Sequence, residues 1–134
     1  MINEGKKVLV GGAALRELGH DRYTDDMDYL CAVENDSRPF ITGEGVDLIN
    51  ANGHKLFAEI FATEMNNDIA TPQSLFDLKA FAFVQHCQNL NFAKADACEY
   101  DLKFLARKYN CVPMLVKKYV SNGELSEINK VIKK

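Results

Sequence analysis

The stretch Arg22, Tyr23, Thr24, Asp25, Asp26, Met27, Asp28, Tyr29, Leu30 is the densest concentration of chemically useful side chains in the chain. In an extended strand, side chains alternate between faces, so Asp26 and Asp28 point the same way. Two carboxylates aimed at one point repel each other. The simplest relief is a hard divalent cation such as Mg²⁺, which takes a few carboxylates together with the phosphate oxygens of a substrate. A solvated acidic turn is the other reading of the same residues.

Upstream, the apolar run Lys7 to Val10 leads straight into Gly11 and Gly12 and then into a short helical pattern, Ala13 to Leu18, closed by Gly19. Bare backbone amides at such a place can approach an anion, and the start of a helix favours negative charge. A glycine pair also arises where a turn simply needs positive φ. Neither a phosphate-loop lysine motif nor a dinucleotide fingerprint follows. Lys79 is the second informative residue. Its neighbours three and four positions away are Leu75, Phe76, Ala82 and Phe83, so its ammonium leaves an apolar helix face and calls for an anionic partner, unless it snorkels to water.

The elements that must position these groups divide into a mixed first part and a helical second part. Asp26 to Val33, Phe40 to Thr42 and Val46 to Ile49 read as further strands, broken by a turn over Glu34 to Pro39 and by Gly43 and Gly45. Adjacent strands are expected to run antiparallel. Leu56, Phe57, Ile60 and Phe61 recur at helical spacing within His54 to Met65, predicting a helix packed on that small sheet. Thr71 and Pro72 start a helix that runs to Cys87, since proline at the first helical position gives up an N–H that has no partner anyway. A stripe of Ala95, Cys98, Leu102, Leu105 and Tyr109 marks another helix over Lys94 to Tyr109. Ser121 with Glu124 forms a capping box before the last helix, which ends in Lys130, Lys133 and Lys134.

The chain's 134 residues leave room for one domain, with a sheet-containing core over about residues 1–70 and a helical part over about 71–134. The expected class is α+β, with a small mixed or antiparallel sheet. Sixteen basic against nineteen acidic side chains give a net charge of −3, too acidic for a dedicated nucleic-acid binder, although a local basic patch is compatible with it. No apolar run is long enough for a membrane span and the N-terminus lacks a signal-peptide layout, so a soluble cytoplasmic protein is expected. Cys31, Cys87, Cys98 and Cys111 lack the close pairing of structural zinc sites and read as reduced core thiols. His20, His54 and His86 show no metal-ligand spacing.

Taken together, Val8 to Val10, Gly11, Gly12, thirteen intervening residues and Asp26-Met27-Asp28 resemble the signature of the polymerase-beta-like nucleotidyltransferase superfamily. Arg22 and Thr24, in the pattern Arg-x-Thr-x-Asp-hydrophobic-Asp, bring it close to the branch with the AbiEii-type toxin nucleotidyltransferases and their small bacterial relatives. The resemblance covers roughly residues 7 to 109. It implies that Gly11 and Gly12 hold a triphosphate, with Arg22 and Thr24 beside it, and that Asp26 and Asp28 bind two Mg²⁺ or Mn²⁺ ions. A third carboxylate is usual on a neighbouring strand. Asp47, a lone acid in an apolar strand, matches it best, ahead of Glu44 and Glu59, although a strand-end aspartate facing water has the same pattern. Ser74 to Ala82 is similar to the family's Leu-x-x-x-Lys-x-x-Ala helix, implying that Lys79 faces the nucleotide. Lys94-Ala95-Asp96 and Asp101-Leu102 stand where the family carries Lys-Asp and a later aspartate, with an extra residue that departs from the pattern, so Asp101 is read as a salt-bridge partner of Lys79 or Arg107.

The function this implies is transfer of an NMP group from an NTP to an acceptor that is a tRNA end, a protein hydroxyl or a small molecule, within a toxin–antitoxin or defence system. Asp26, Asp28 and Asp47 would hold the metals, with Asp47 also orienting the acceptor. Full toxin-type members are longer and many carry a helical region before the glycine strand, where six residues stand here. That implies a minimal core that completes its site with a protein partner or a second copy. The rival reading is an inactive protein of the same fold, acting as an antitoxin or a nucleotide-binding regulator.

Overall fold

The computed structural model describes residues 5–21, 27–43 and 45–133. The class is α+β, with a four-stranded mixed sheet and packed helices. The chain forms two compact units, Met1–Thr71 and Pro72–Lys134.

In the first unit β1 (Val8–Val10) runs into α1 (Gly11–Glu17), followed by β2 (Met27–Cys31), β3 (Phe40–Thr42), β4 (Val46–Asn50) and α2 (Lys55–Thr63). The helix after β1 starts at the glycines themselves rather than at Ala13, with Gly11 at φ +68° in the left-handed region. Val8, Val10 and Leu30 lie wholly out of water on one sheet face. The apolar side of α2, Leu56, Phe57, Ile60 and Phe61, is buried as its spacing predicts, and Phe57 meets the Phe40 ring edge-on at 5.5 Å.

The strand order is β1-β2-β4-β3, and β2 pairs with β4 in parallel, against the expectation that neighbouring strands all run antiparallel. The reason lies at the end of β4. The segment from Val33 to Pro39 does not fold back into a β2–β3 hairpin but passes over Asn50, the residue paired with Cys31 at the end of β2. Asn50 Oδ1 accepts from the Val33 N–H at 2.9 Å and the Asn52 N–H at 3.1 Å, and its Nδ2 donates to the Asp36 and Arg38 carbonyls at 2.8 and 2.9 Å. Its own N–H donates to the Pro39 carbonyl at 2.8 Å. Carried across in this way, the chain enters β3 on the far side of β4, and the Gly43 N–H donates to the Val46 carbonyl at 2.8 Å where β4 begins. β4 is therefore laid beside β2 in the same direction.

The other edge of the sheet is covered by the segment after α2. Leu9 donates to the Asp68 carbonyl at 2.8 Å and accepts from the Ala70 N–H at 3.0 Å. Glu64, fully buried at the end of α2, fixes that segment by accepting from Asn67 Nδ2, the Thr71 N–H and Thr71 Oγ1 at 2.9, 3.1 and 2.6 Å.

The second unit is built on α3 (Pro72–Gln88), α4 (Phe92–Tyr109) and α5 (Asn122–Lys133), with α4 capped by Asn91 and ended by Asn110 in the left-handed region. α3 and α4 pack closely, and α5 lies against both. Asp77, 1% exposed, accepts from the backbone N–H groups of Met114, Leu115 and Val116 at 3.0, 3.2 and 3.4 Å, pinning a 3₁₀ turn over Leu115–Lys118. Burial raises its carboxyl above the ordinary range even so. The capping box forms as read: the Ser121 N–H donates to Glu124 Oε1 at 2.7 Å and the Glu124 N–H to Ser121 Oγ at 3.1 Å.

Replacing Asn50 with alanine strands one donor and two acceptors of the crossing segment, together with the Asn52 N–H. We expect Asn50→Ala to lower unfolding stability by about 2–4 kcal/mol in urea titrations, the scale for buried polar groups left unsatisfied. A loss below about 0.5 kcal/mol, the ordinary range for surface changes, would contradict this account of the crossing.

Candidate functional site

The parallel register sets Asp28 directly beside Asp47, with Val10 on the outer side of Asp28 and Thr42 on the outer side of Asp47. Residues in register across a sheet project from the same face, and neighbouring strands are about 4.8 Å apart. The two carboxylates therefore form a pair on one face, each half-buried. That face is the one holding Val8, Val10 and Leu30, so the acids stand at the open margin of an apolar layer.

Val10 delivers the chain to Gly11 at this same margin. A Cβ on Gly11 would lie 2.2 Å from Asp28 Oδ2 and 3.0 Å from Asp28 Cβ, so only a bare Cα lets the backbone pass so near the carboxylate. Two demands thus meet at Gly11, the left-handed φ and the close approach. Gly12 is buried inside α1.

Asp26, Arg22, Thr24 and Glu44 lie outside the described residues, so the expected three-acid set is represented by Asp28 and Asp47. Among the described residues no group of three or more His, Cys, Asp or Glu side chains is placed to hold a metal. The pair that is present, oxygen donors only, fits a hard cation such as Mg²⁺. Glu59 is half-buried on α2.

Lys79 belongs to the second unit, where its Nζ lies 3.3 Å from Asp101 Oδ2. Asp101 is fully buried and Lys79 largely so, which makes this an internal ion pair between α3 and α4 and gives the apolar-face lysine the anion it called for. Asp96 is exposed on α4.

Among the histidines, His54 has a structural role. His54 Nδ1 accepts from the Leu56 N–H at 3.0 Å and so caps α2, and burial lowers its pKa, which favours the neutral ring this acceptor role requires. Cys31, Cys98 and Cys111 are buried free thiols and Cys87 is half-buried. Burial pushes the Cys111 thiol up to about 11, away from thiolate chemistry.

No protein-family model, curated protein or solved structure matches the chain. No described helix is long and apolar enough to cross a membrane. The reading of the site therefore stands on its own residues.

The sequence offers the glycine pair and Asp28 as candidates by residue type and spacing, and Asp47 through the family resemblance; the sheet sets Asp28 beside Asp47 and Gly11 against Asp28. Sequence reasoning missed Asn50, Glu64, Asp77 and the capping role of His54. Asn50, His54 and Glu64 flank the ends of β4 and α2, whereas Asp77 lies within α3 among apolar neighbours.

Two substitutions follow from this geometry. Gly11→Ala should destabilise by about 2–4 kcal/mol, combining left-handed strain of about 1–2 kcal/mol with the steric conflict. In an Asp28→Ala background the overlap with the carboxyl group is gone, leaving the strain and the 3.0 Å approach to Cβ, so a double-mutant cycle should show coupling of at least about 1 kcal/mol; additive losses would refute the close approach. Lys79→Met leaves Asp101 buried without its ammonium, and thermal or urea unfolding should register a loss of about 3 kcal/mol. Unchanged stability, with weakened NTP binding, would instead make Lys79 a nucleotide ligand.

Proposed function

We propose that this chain is a metal-dependent nucleotidyltransferase that moves an NMP group from an NTP to an acceptor hydroxyl or phosphate. The observation that carries it is the Asp28–Asp47 pair on adjacent parallel strands, with Gly11 held against Asp28. Paired carboxylates beside a close-approaching backbone form an arrangement suited to a triphosphate and its cation, and the resemblance to the polymerase-beta-like superfamily points the same way.

In this reading Asp28 and Asp47, with Asp26, would hold Mg²⁺ or Mn²⁺, which when bound neutralises phosphate charge and steadies the attacking and leaving oxygens. Gly11 would present its backbone to the triphosphate, with Gly12 behind it at the start of α1 and Arg22 and Thr24 alongside. Asp47, the carboxylate on the β4 side, orients the acceptor and receives its proton as it attacks the α-phosphorus in line, with pyrophosphate leaving. The acceptor is a tRNA end, a protein hydroxyl or a small molecule, and a protein partner or a second copy would complete the site. Free thiols and an NTP donor suit the cytoplasm, and the AbiEii-like pattern suits a toxin–antitoxin or defence system.

One observation favours a second reading. The ammonium of Lys79 is engaged by buried Asp101, as it would be in a protein that has kept the fold and given up the reaction. Such a chain would act as an antitoxin or as a nucleotide-binding regulator.

Mg²⁺ with an NTP should raise the melting temperature, because a ligand that binds only the native state stabilises it by about 2.7 kcal/mol at a hundredfold excess over Kd. The Asp28→Asn, Asp47→Asn double variant should lose that shift while remaining folded. A shift that survives the double variant sinks the metal-site assignment. Incubating wild type with NTP labelled at the α-phosphate and a cell lysate then separates the two readings: transferred label supports the enzyme, binding without transfer the regulator.

A further inference from the structure

The net charge conceals a segregation. Residues 1–71 carry six basic and thirteen acidic side chains, and residues 72–134 carry ten basic and six acidic. Within the second unit, residues 102–123 hold Lys103, Arg107, Lys108, Lys117 and Lys118 and no acid at all. The first three fall on α4 with a pattern of their own.

Tyr100, Lys103, Phe104, Arg107 and Lys108 recur at three-and-four spacing, which places them on one helical face. The buried stripe Ala95, Cys98, Leu102 and Leu105 occupies the opposite side. Tyr100 is 51% exposed, Arg107 and Lys108 are exposed, and Lys103 and Phe104 are half-exposed. Phe104 and Tyr109 meet edge to face at 6.2 Å, and Lys108 Nζ lies 5.6 Å from the first ring and 5.5 Å from the second. Cations near the end of a helix are favoured by its dipole, which accounts for their sign. It does not account for aromatic rings interleaved among them at the surface.

We infer that this face of α4 binds a single-stranded nucleic acid, its cations on the phosphates and its rings under the bases. A surface that tracks a strand needs a positive row with aromatic platforms between the charges. Lys103 and Arg107 stand four residues apart, about 6 Å along the axis, within reach of successive phosphates of an extended strand. An anionic membrane would use the charges but needs no ring stacking, and an acidic protein segment likewise. The inference does not rest on nucleotidyl transfer and survives or fails without it.

The test is fluorescence anisotropy of the full chain with labelled twelve-nucleotide oligo(U) RNA and oligo(dT) DNA, without NTP or Mg²⁺. With three phosphate contacts and a slope of about 0.7 per contact, raising salt from 50 to 200 mM should weaken binding about 20-fold. Lys103→Gln, Arg107→Gln, Lys108→Gln together should weaken it at least tenfold with melting temperature unchanged. Phe104→Leu should weaken it severalfold while leaving the salt slope intact. If the triple variant fails to fold, Arg107→Glu alone carries the charge test, since that side chain is exposed. Preference for oligo(U) would assign the site to RNA, and equal binding to either strand; both support the proposal. No strand binding at 50 mM salt, equal affinity of the triple variant, or capture of phosphatidylserine vesicles without strand binding would overturn it.

Discussion

The placement of β4 depends on one side chain. Asn50 makes four side-chain hydrogen bonds to backbone groups, three of them with the segment that crosses the end of its own strand and the fourth with the Asn52 N–H just beyond that strand. Were that segment to turn back early, β3 would lie against β2 and β4 would be pushed outward. With it pinned, β4 occupies the slot beside β2 and its aspartate comes level with Asp28. The acid pair is thus a product of a remote amide, at the opposite end of the strand from the acids.

A similar division of labour recurs elsewhere. Glu64 and Asp77 are buried carboxylates that accept from backbone N–H groups, and each holds an irregular segment in place. Satisfied networks of this kind make local geometry specific, because the same low dielectric that strengthens each bond penalises every alternative that breaks one. In the first unit this fixes β1, and with it the point at which Gly11 meets Asp28.

Much of this fold was legible in the sequence because its signals are local. The α+β class, the boundaries of β3, the start of α3 at Pro72 and the capping box at Ser121 and Glu124 depend on residues within a few positions of one another. The parallel β2–β4 pair was not legible, since it depends on contacts between Asn50 and residues 12 to 17 positions away. Of the candidate site, spacing pointed to Gly11 and Asp28, but their mutual contact needed the sheet. The anion wanted by Lys79 was foreseen from its apolar neighbours, and Asp101 was named as a partner.

The strap over β1 has a further consequence. A sheet presents unpaired backbone at both flanks, and such flanks recruit strands from other molecules. Here the β1 flank is occupied by residues 68–70 of the same chain, held by Glu64. The other flank is β3, only three residues long and entered through Pro39, which has no N–H to offer. The sheet therefore keeps its pairing capacity almost entirely for itself, and the chain is guarded against edge-to-edge stacking into fibrils.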